Sequence, residues 1–258
     1  MFLNTEDAAI LVFSYGNARR NFVAHGGWVG SGELWAAPFE RLSRSWRAVT
    51  YDHRGTGATR NTAPAITFEL LVTDLFRVLD ALEIETCVLA GESGGAMVVL
   101  EAVLRQPGRF SGLVIIDGRY VGGPPTPAQQ KRMAGCKANF PATMEAFVNA
   151  CVPEEDCEAE RAWGKLIVNR SSGTAAVQLF ECLEHVDLTS RLSSINVPTL
   201  ILHGDDDQIV PIGHAGMLTA KIVKGSTLKV IPGAAHGMCQ VNKDQINKEL
   251  LAFLQGGS

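Results

Sequence analysis

Apolar residues in this chain fall into two spacings that alternate along its length. Short, nearly continuous apolar runs at 9–15 (AILVFSY), 21–27 (NFVAHGG), 46–52 (WRAVTYD), 86–92 (TCVLAGE), 111–117 (SGLVIID), 197–205 (VPTLILHGD) and 226–233 (STLKVIPG) read as strands. Between them, apolar residues recur every three to four positions over 33–45, 67–83, 94–107, 210–223 and 241–254, which predicts helices. In 67–83, Phe68, Leu71, Val72, Leu75, Val78, Leu79 and Leu82 share one face, and Thr67 is placed to cap the first turn. Pro38 is compatible with a helix over 33–45 only near its first turn. Strands that are apolar at successive positions are covered on both faces, so the predicted fold is α/β, a doubly wound and mostly parallel sheet.

The alternation stops at Gly118, where GGPPTP follows within a few residues, and helical segments without a clear strand run to about Ser194. The expected organisation is a core of 1–119 and 195–258, with 120–194 as a helical cap inserted over the sheet. The sequence has no internal repeat and no low-complexity tract.

Composition narrows the function classes. With 46% hydrophobic and 19% charged residues the chain can bury a substantial core. Twenty-three basic against twenty-seven acidic residues give a net charge of −4, and no segment clusters Lys and Arg with aromatics, which argues against nucleic acid as a partner. No apolar run approaches the length of a membrane span, and MFLNTEDAAILVF has acids where a signal peptide needs bases, so a cytoplasmic location is expected. Cysteines at 87, 136, 151, 157, 182 and 239 are then expected to be reduced thiols, and the CVPEEDC spacing matches no usual metal pattern. No metal is expected. A monomer or homodimer is expected, since an exposed apolar cap would support a dimer.

The chemistry centres on GESGG, residues 91–95. Roughly one chain in eight of this length carries G-x-S-x-G by chance, so context has to decide. In a doubly wound sheet, ligands bind beyond the carboxyl ends of the strands. Residues at those ends here are His25 to Trp28, Asp52 to Gly55, Ser93, Asp117, Asp205 to Asp207 and, shortly after a strand, His236. A serine, several acids and a histidine thus collect on one edge, as an activated nucleophile requires.

The motifs HGGW (25–28), YDHRGTG (51–57), GESGG, HGDDDQIVP (203–211) and GAAHGM (233–238) together resemble the α/β-hydrolase family, in its cofactor-free branch of esterases, enol-lactonases, haloperoxidase-like perhydrolases and carbon–carbon bond hydrolases. The resemblance covers the chain outside the 120–190 region. It implies Ser93 as nucleophile, His236 as base and, from the spacing H-G-x-x-D-x-x-V-P, Asp207 as the acid, with Asp117 the rival from the preceding strand end. His25, His53, His185, His203 and His214 are read as structural, Asp205 and Asp206 as turn or solvated residues, and Asp52 and Arg54 as loop braces. A divalent-ion site at Asp205 to Asp207 lacks partner oxygens in the sequence.

The resemblance further implies an oxyanion hole of the Gly94 amide and a second amide from HGGW, Gly27 or the adjacent Trp28. Trp28, Arg119, Met133, Phe140 and Trp163 are the candidate substrate contacts, with Met144, Phe147 and Phe180 as further lining. The implied activity is hydrolysis of a carboxylic ester or lactone of a small apolar or aromatic molecule, without cofactor. Carbon–carbon cleavage, acyl transfer to peroxide, and a receptor built on a hydrolase scaffold are the alternatives.

Overall fold

A computed structural model describes residues 1–256. The apolar runs become strands β1 (Phe2–Asn4), β2 (Ala8–Tyr15), β3 (Asn21–His25), β4 (Arg47–Tyr51), β5 (Arg60–Asn61), β6 (Cys87–Glu92), β7 (Phe110–Ile116), β8 (Thr199–Gly204) and β9 (Thr227–Ile231). They form one sheet in the order β1-β2-β4-β3-β6-β7-β8-β9, with β5 paired to β2. The pairings of β2 with β1, β4 and β5 are antiparallel, and from β4 to β9 every pairing is parallel.

The helices are α1 (Ala36–Leu42), α2 (Phe68–Ala81), α3 (Gly95–Arg105), α4 (Pro127–Ala138), α5 (Phe140–Cys151), α6 (Glu158–Val168), α7 (Gly173–Glu184), α8 (Gly216–Ile222), α9 (Met238–Val241) and α10 (Lys243–Gly256). Because successive strand side chains point to opposite faces, the apolar runs feed two cores. Val23, Leu89, Leu113, Ile115 and Ile201 pack with Leu71, Leu75 and Val78 of α2 and Val99 of α3. Phe22, Val88, Ala90, Val114 and Leu202 pack with Phe39 and Leu42 of α1 and Ile246 and Leu250 of α10. Each such side chain contributes about 1.5–3 kcal/mol when fully buried.

Several boundaries differ from expectation. Residues 33–45 split into a 3-10 turn, Gly32–Trp35, followed by α1, where Pro38 lies in the first turn and its missing N–H breaks no helical bond. Strands β1 and β5, three and two residues long, were not expected. Residues 210–223 shorten to a 3-10 turn and α8.

Between β7 and β8 the chain inserts α4 to α7. Its two ends are joined by the Val121–Asp187 bridge and by Leu188 N–H donating to the Tyr120 carbonyl at 3.2 Å. The DHRGTG loop is held by buried ionic bonds. Arg54 reaches Asp74 of α2 at 2.6 Å and Asp7 at 2.7 Å, while Asp52 accepts from Gly32 N–H at 2.9 Å and Ala58 N–H at 2.8 Å. No described helix is long and apolar enough to cross a membrane.

Candidate active site

The turn from β6 into α3 fixes Ser93. Its backbone lies in the left-handed region at φ 52°, a conformation that costs an L-residue energy and is held here by its neighbours. A β-carbon on Gly91 would lie 2.5 Å from Val99, and one on Gly95 only 2.2 Å from the Gly26 carbonyl oxygen, so glycine at both positions is what lets the elbow close. Ser93 N–H donates to the Ile116 carbonyl at 2.9 Å, which ties the elbow to β7. Gly94 is the N-cap of α3, whose first turn presents free amides and the positive end of its dipole.

His236 lies in the loop after β9. Its Nε2 is 3.0 Å from Ser93 Oγ and its Nδ1 is 2.7 Å from Asp207 Oδ2. The other Asp207 oxygen accepts the Ile209 and Val210 N–H groups at 2.8 Å each, so the carboxylate is clamped within its turn. With His236 6% and Asp207 2% exposed, the pair is shielded from water. Burial alone would lower the imidazole pKa, but the hydrogen bond and charge of Asp207 outweigh it and push the value up to about 9. Burial likewise opposes the charge on Asp207, and its bond to His236 nevertheless holds the carboxyl below its ordinary value. Gly237 N–H, next to the histidine, donates to the Cys151 carbonyl at the end of α5 at 2.7 Å.

The competing groups are engaged elsewhere. Asp117, also at positive φ, accepts from Gly204 N–H at 3.0 Å, and burial raises its pKa strongly. His236 reaches Asp207 rather than Asp117. Asp205 accepts from Gly233 N–H at 2.6 Å and Asp206 from Gln208 at 3.1 Å. His25 and His53 stack at 4.9 Å, and His53 Nε2 holds the Gly27 carbonyl at 2.9 Å. His203 Nε2 lies 2.8 Å from the Val210 carbonyl. Donor atoms of Asp117, His203 and Asp207 fall within 4.8 Å of one another, but His203 and Asp207 there brace the turn after β8 through the backbone of Val210.

Two cavities meet at Ser93, Trp28 and Phe147, which line both. The first, about 90 Å³, is walled by Leu34, Trp163 and Val168 and reaches His236 and Glu92. The second, about 260 Å³, is walled by Gly94, Phe180 and Leu183 and reaches Arg119. Trp28 is held by its indole N–H, which donates to the Ala176 carbonyl of α7 at 2.7 Å. The backbone N–H of Gly27 is turned to the Glu92 carboxyl, whose pKa burial still raises. Trp28 N lies 4.0 Å from where a Gly94 β-carbon would sit.

Two expected substrate contacts lie apart from these cavities. Met133 is partly buried against the core, and Phe140 lines a separate groove with Lys137 and Gln178, so neither is among the residues bordering the Ser93 cavities. Met144 is fully buried in the same core. The structure adds Glu92, Glu160 and Arg132, which sequence reasoning passed over. Glu92 was signalled by its place directly before the serine, whereas the role of Arg132 depends on which way α4 faces.

The family model described as "Serine aminopeptidase, S33" matches residues 19–242. A non-heme chloroperoxidase from Burkholderia pyrrocinia is 31% identical over 90% of this chain and 91% of its own. An esterase from Exiguobacterium antarcticum superposes with a TM-score of 0.89 at 21% identity, covering 96% of both chains. An enol-lactonase from Burkholderia xenovorans gives 0.88 at 19% identity, covering 99% of this chain and 100% of its own. An elbow serine at the edge of this sheet, inside a family match that spans most of the sequence, leads to one conclusion: the chain belongs to the α/β-hydrolase family and is an enzyme of the hydrolase class.

Proposed function

We propose that the protein hydrolyses a carboxylic ester or lactone of a small molecule through an acyl-enzyme. The hydrogen-bonded chain from Ser93 through His236 to Asp207 at the elbow carries this reading. Ser93 Oγ attacks the carbonyl carbon while His236 Nε2 takes its proton, and the imidazolium then gives that proton to the departing alkoxide. Water deprotonated by the same nitrogen releases the acid and restores Ser93. Asp207 holds the proton on Nδ1, leaving Nε2 free as the base. The oxyanion is received by the Gly94 amide and by a second amide of the HGGW loop, Gly27 or Trp28, the Trp28 nitrogen lying 4.0 Å from where a Gly94 β-carbon would sit.

The test is a fluorophosphonate probe and an activated aryl ester, applied to wild type and Ser93→Ala. Covalent labelling and a product burst are expected in wild type, and both vanish in a variant with an unchanged circular dichroism spectrum. Undiminished turnover in Ser93→Ala overturns the assignment. Acyl exchange to peroxide is a second reading, favoured by the chloroperoxidase relative. Peroxyacid formation from acetate and hydrogen peroxide, compared with ester hydrolysis at equal enzyme, separates the two.

A further inference from the structure

Charge is sorted between the two cavities. The one bordered by His236 contains Glu92 and Glu160 and no lysine or arginine, while the one bordered by Gly94 contains Arg119 and Arg132 and no acid. Arg119 is anchored to the elbow, its backbone N–H donating to the Ser93 carbonyl at 3.1 Å. Its guanidinium has one long bond, from Nη2 to the Val121 carbonyl at 3.3 Å. Arg132, from α4, lies over the Phe147 ring at 4.7 Å and the Trp28 ring at 6.0 Å. Among the described residues neither of these half-buried arginines has a carboxylate within ion-pair distance, although the fully buried Arg54 has two.

The remaining polar side chains of that cavity, Thr126, Gln129 and Gln208, are uncharged and partly engaged. Gln129 accepts from Thr126 N–H at 2.8 Å and Gln208 donates to Asp206 at 3.1 Å. The charged hydrogen-bonding groups of that cavity are therefore the two guanidinium groups. Burial lowers the pKa of both arginines, as expected of cations partly withdrawn from water, with the more distant charge of Glu184 opposing it in part at Arg119. A pair of guanidinium groups is suited to a planar carboxylate, which accepts in a bidentate manner.

The proton path decides which half of the substrate carries that group. The departing alcohol has to lie within reach of His236 Nε2, hence in the cavity that His236 borders, and the acyl chain then extends past Gly94. We propose that the acyl half carries a free carboxylate held by Arg119 and Arg132, so that the substrate is a half-ester of a short dicarboxylic acid. This rests on the ester hydrolysis proposed above. Ser93 Oγ bonds to the acyl carbon as the alcohol leaves with the proton from His236, and water then releases the dicarboxylic acid. The alcohol-side cavity, with no lysine or arginine, offers that anion no cationic partner.

The experiment compares 4-nitrophenyl hemiglutarate with 4-nitrophenyl pentanoate, which match in chain length and differ in the terminal charge. Wild type is expected to prefer the half-ester at least tenfold in kcat/KM. Arg132→Gln and Arg119→Gln are expected each to lower that ratio about tenfold or more, through KM for the half-ester, with partial recovery in Arg132→Lys. Equal use of the two esters by wild type, or a ratio the variants leave unchanged, overturns the proposal. Should neither ester turn over and Ser93 resist the fluorophosphonate, it is ester hydrolysis that fails. Calorimetric binding of glutarate then tests the anion site separately: binding lost in the two Gln variants supports it, and no binding to wild type ends it.

Discussion

His236 illustrates how one residue's surroundings set its chemistry. Asp207 favours the imidazolium and burial opposes it, and the net is a pKa raised to about 9. A base works only when neutral, so kcat/KM is expected to fall as pH drops through that raised value, with the acidic limb of the profile well above the ordinary histidine range. In Asp207→Asn the stabilising charge is gone while the burial stays, so the limb should move to lower pH and kcat should fall about 10³–10⁴-fold. A pH–rate profile of both proteins on an aryl ester checks this, and an unmoved limb would sever Asp207 from the base. At this scale the sequence was informative about Ser93, His236 and Asp207, because each follows a recognisable strand and strand ends converge in a parallel sheet. It could not point to Arg132 or separate Phe147 from Phe140, since that needs the rotation of α4 and α5 about their own axes.

Elements show the same division. Strands β6, β7 and β8 were readable from continuous apolar runs, because both of their faces are covered. By contrast β1 and β5 are too short to carry a period, and α4, with Cys136 its one buried residue, has almost no apolar stripe. The loop after β4 is held by Arg54, fully buried between Asp74 and Asp7, and both ends of that contact are far apart in sequence. Replacing it leaves the Asp74 charge buried without its main partner. Arg54→Met is therefore expected to lose about 3–5 kcal/mol in urea unfolding, and Arg54→Lys to recover only part of it. A loss below about 1 kcal/mol would mean that Arg77, 3.0 Å from Asp74, suffices alone.

Across the whole molecule, loops at the sheet edge bring Ser93, His236 and Asp207 together, and the cavity walls are shared between those loops and the inserted helices. Trp28 connects them, since its backbone belongs to the loop after β3 while its indole hangs from α7 through the Ala176 carbonyl. Trp28→Phe keeps an aromatic ring and removes that bond. Faster amide exchange in α7 is expected, together with a KM for aryl esters raised about threefold to tenfold and a smaller change in kcat. Exchange rates equal to wild type would show that α7 is held by its other contacts. The division into a core and an inserted segment was suggested by where strand alternation stopped, but which helix faces meet the site depends on packing that no local pattern encodes.

The bond from Gly237 N–H to the Cys151 carbonyl bears on how such a chain can diversify. Because the loop carrying His236 leans on the end of α5, the inserted helices are not an interchangeable module. A chimera that receives another relative's insertion has to reproduce a carbonyl at the place of Cys151, or its base will drift from the serine however well the new pocket suits its substrate.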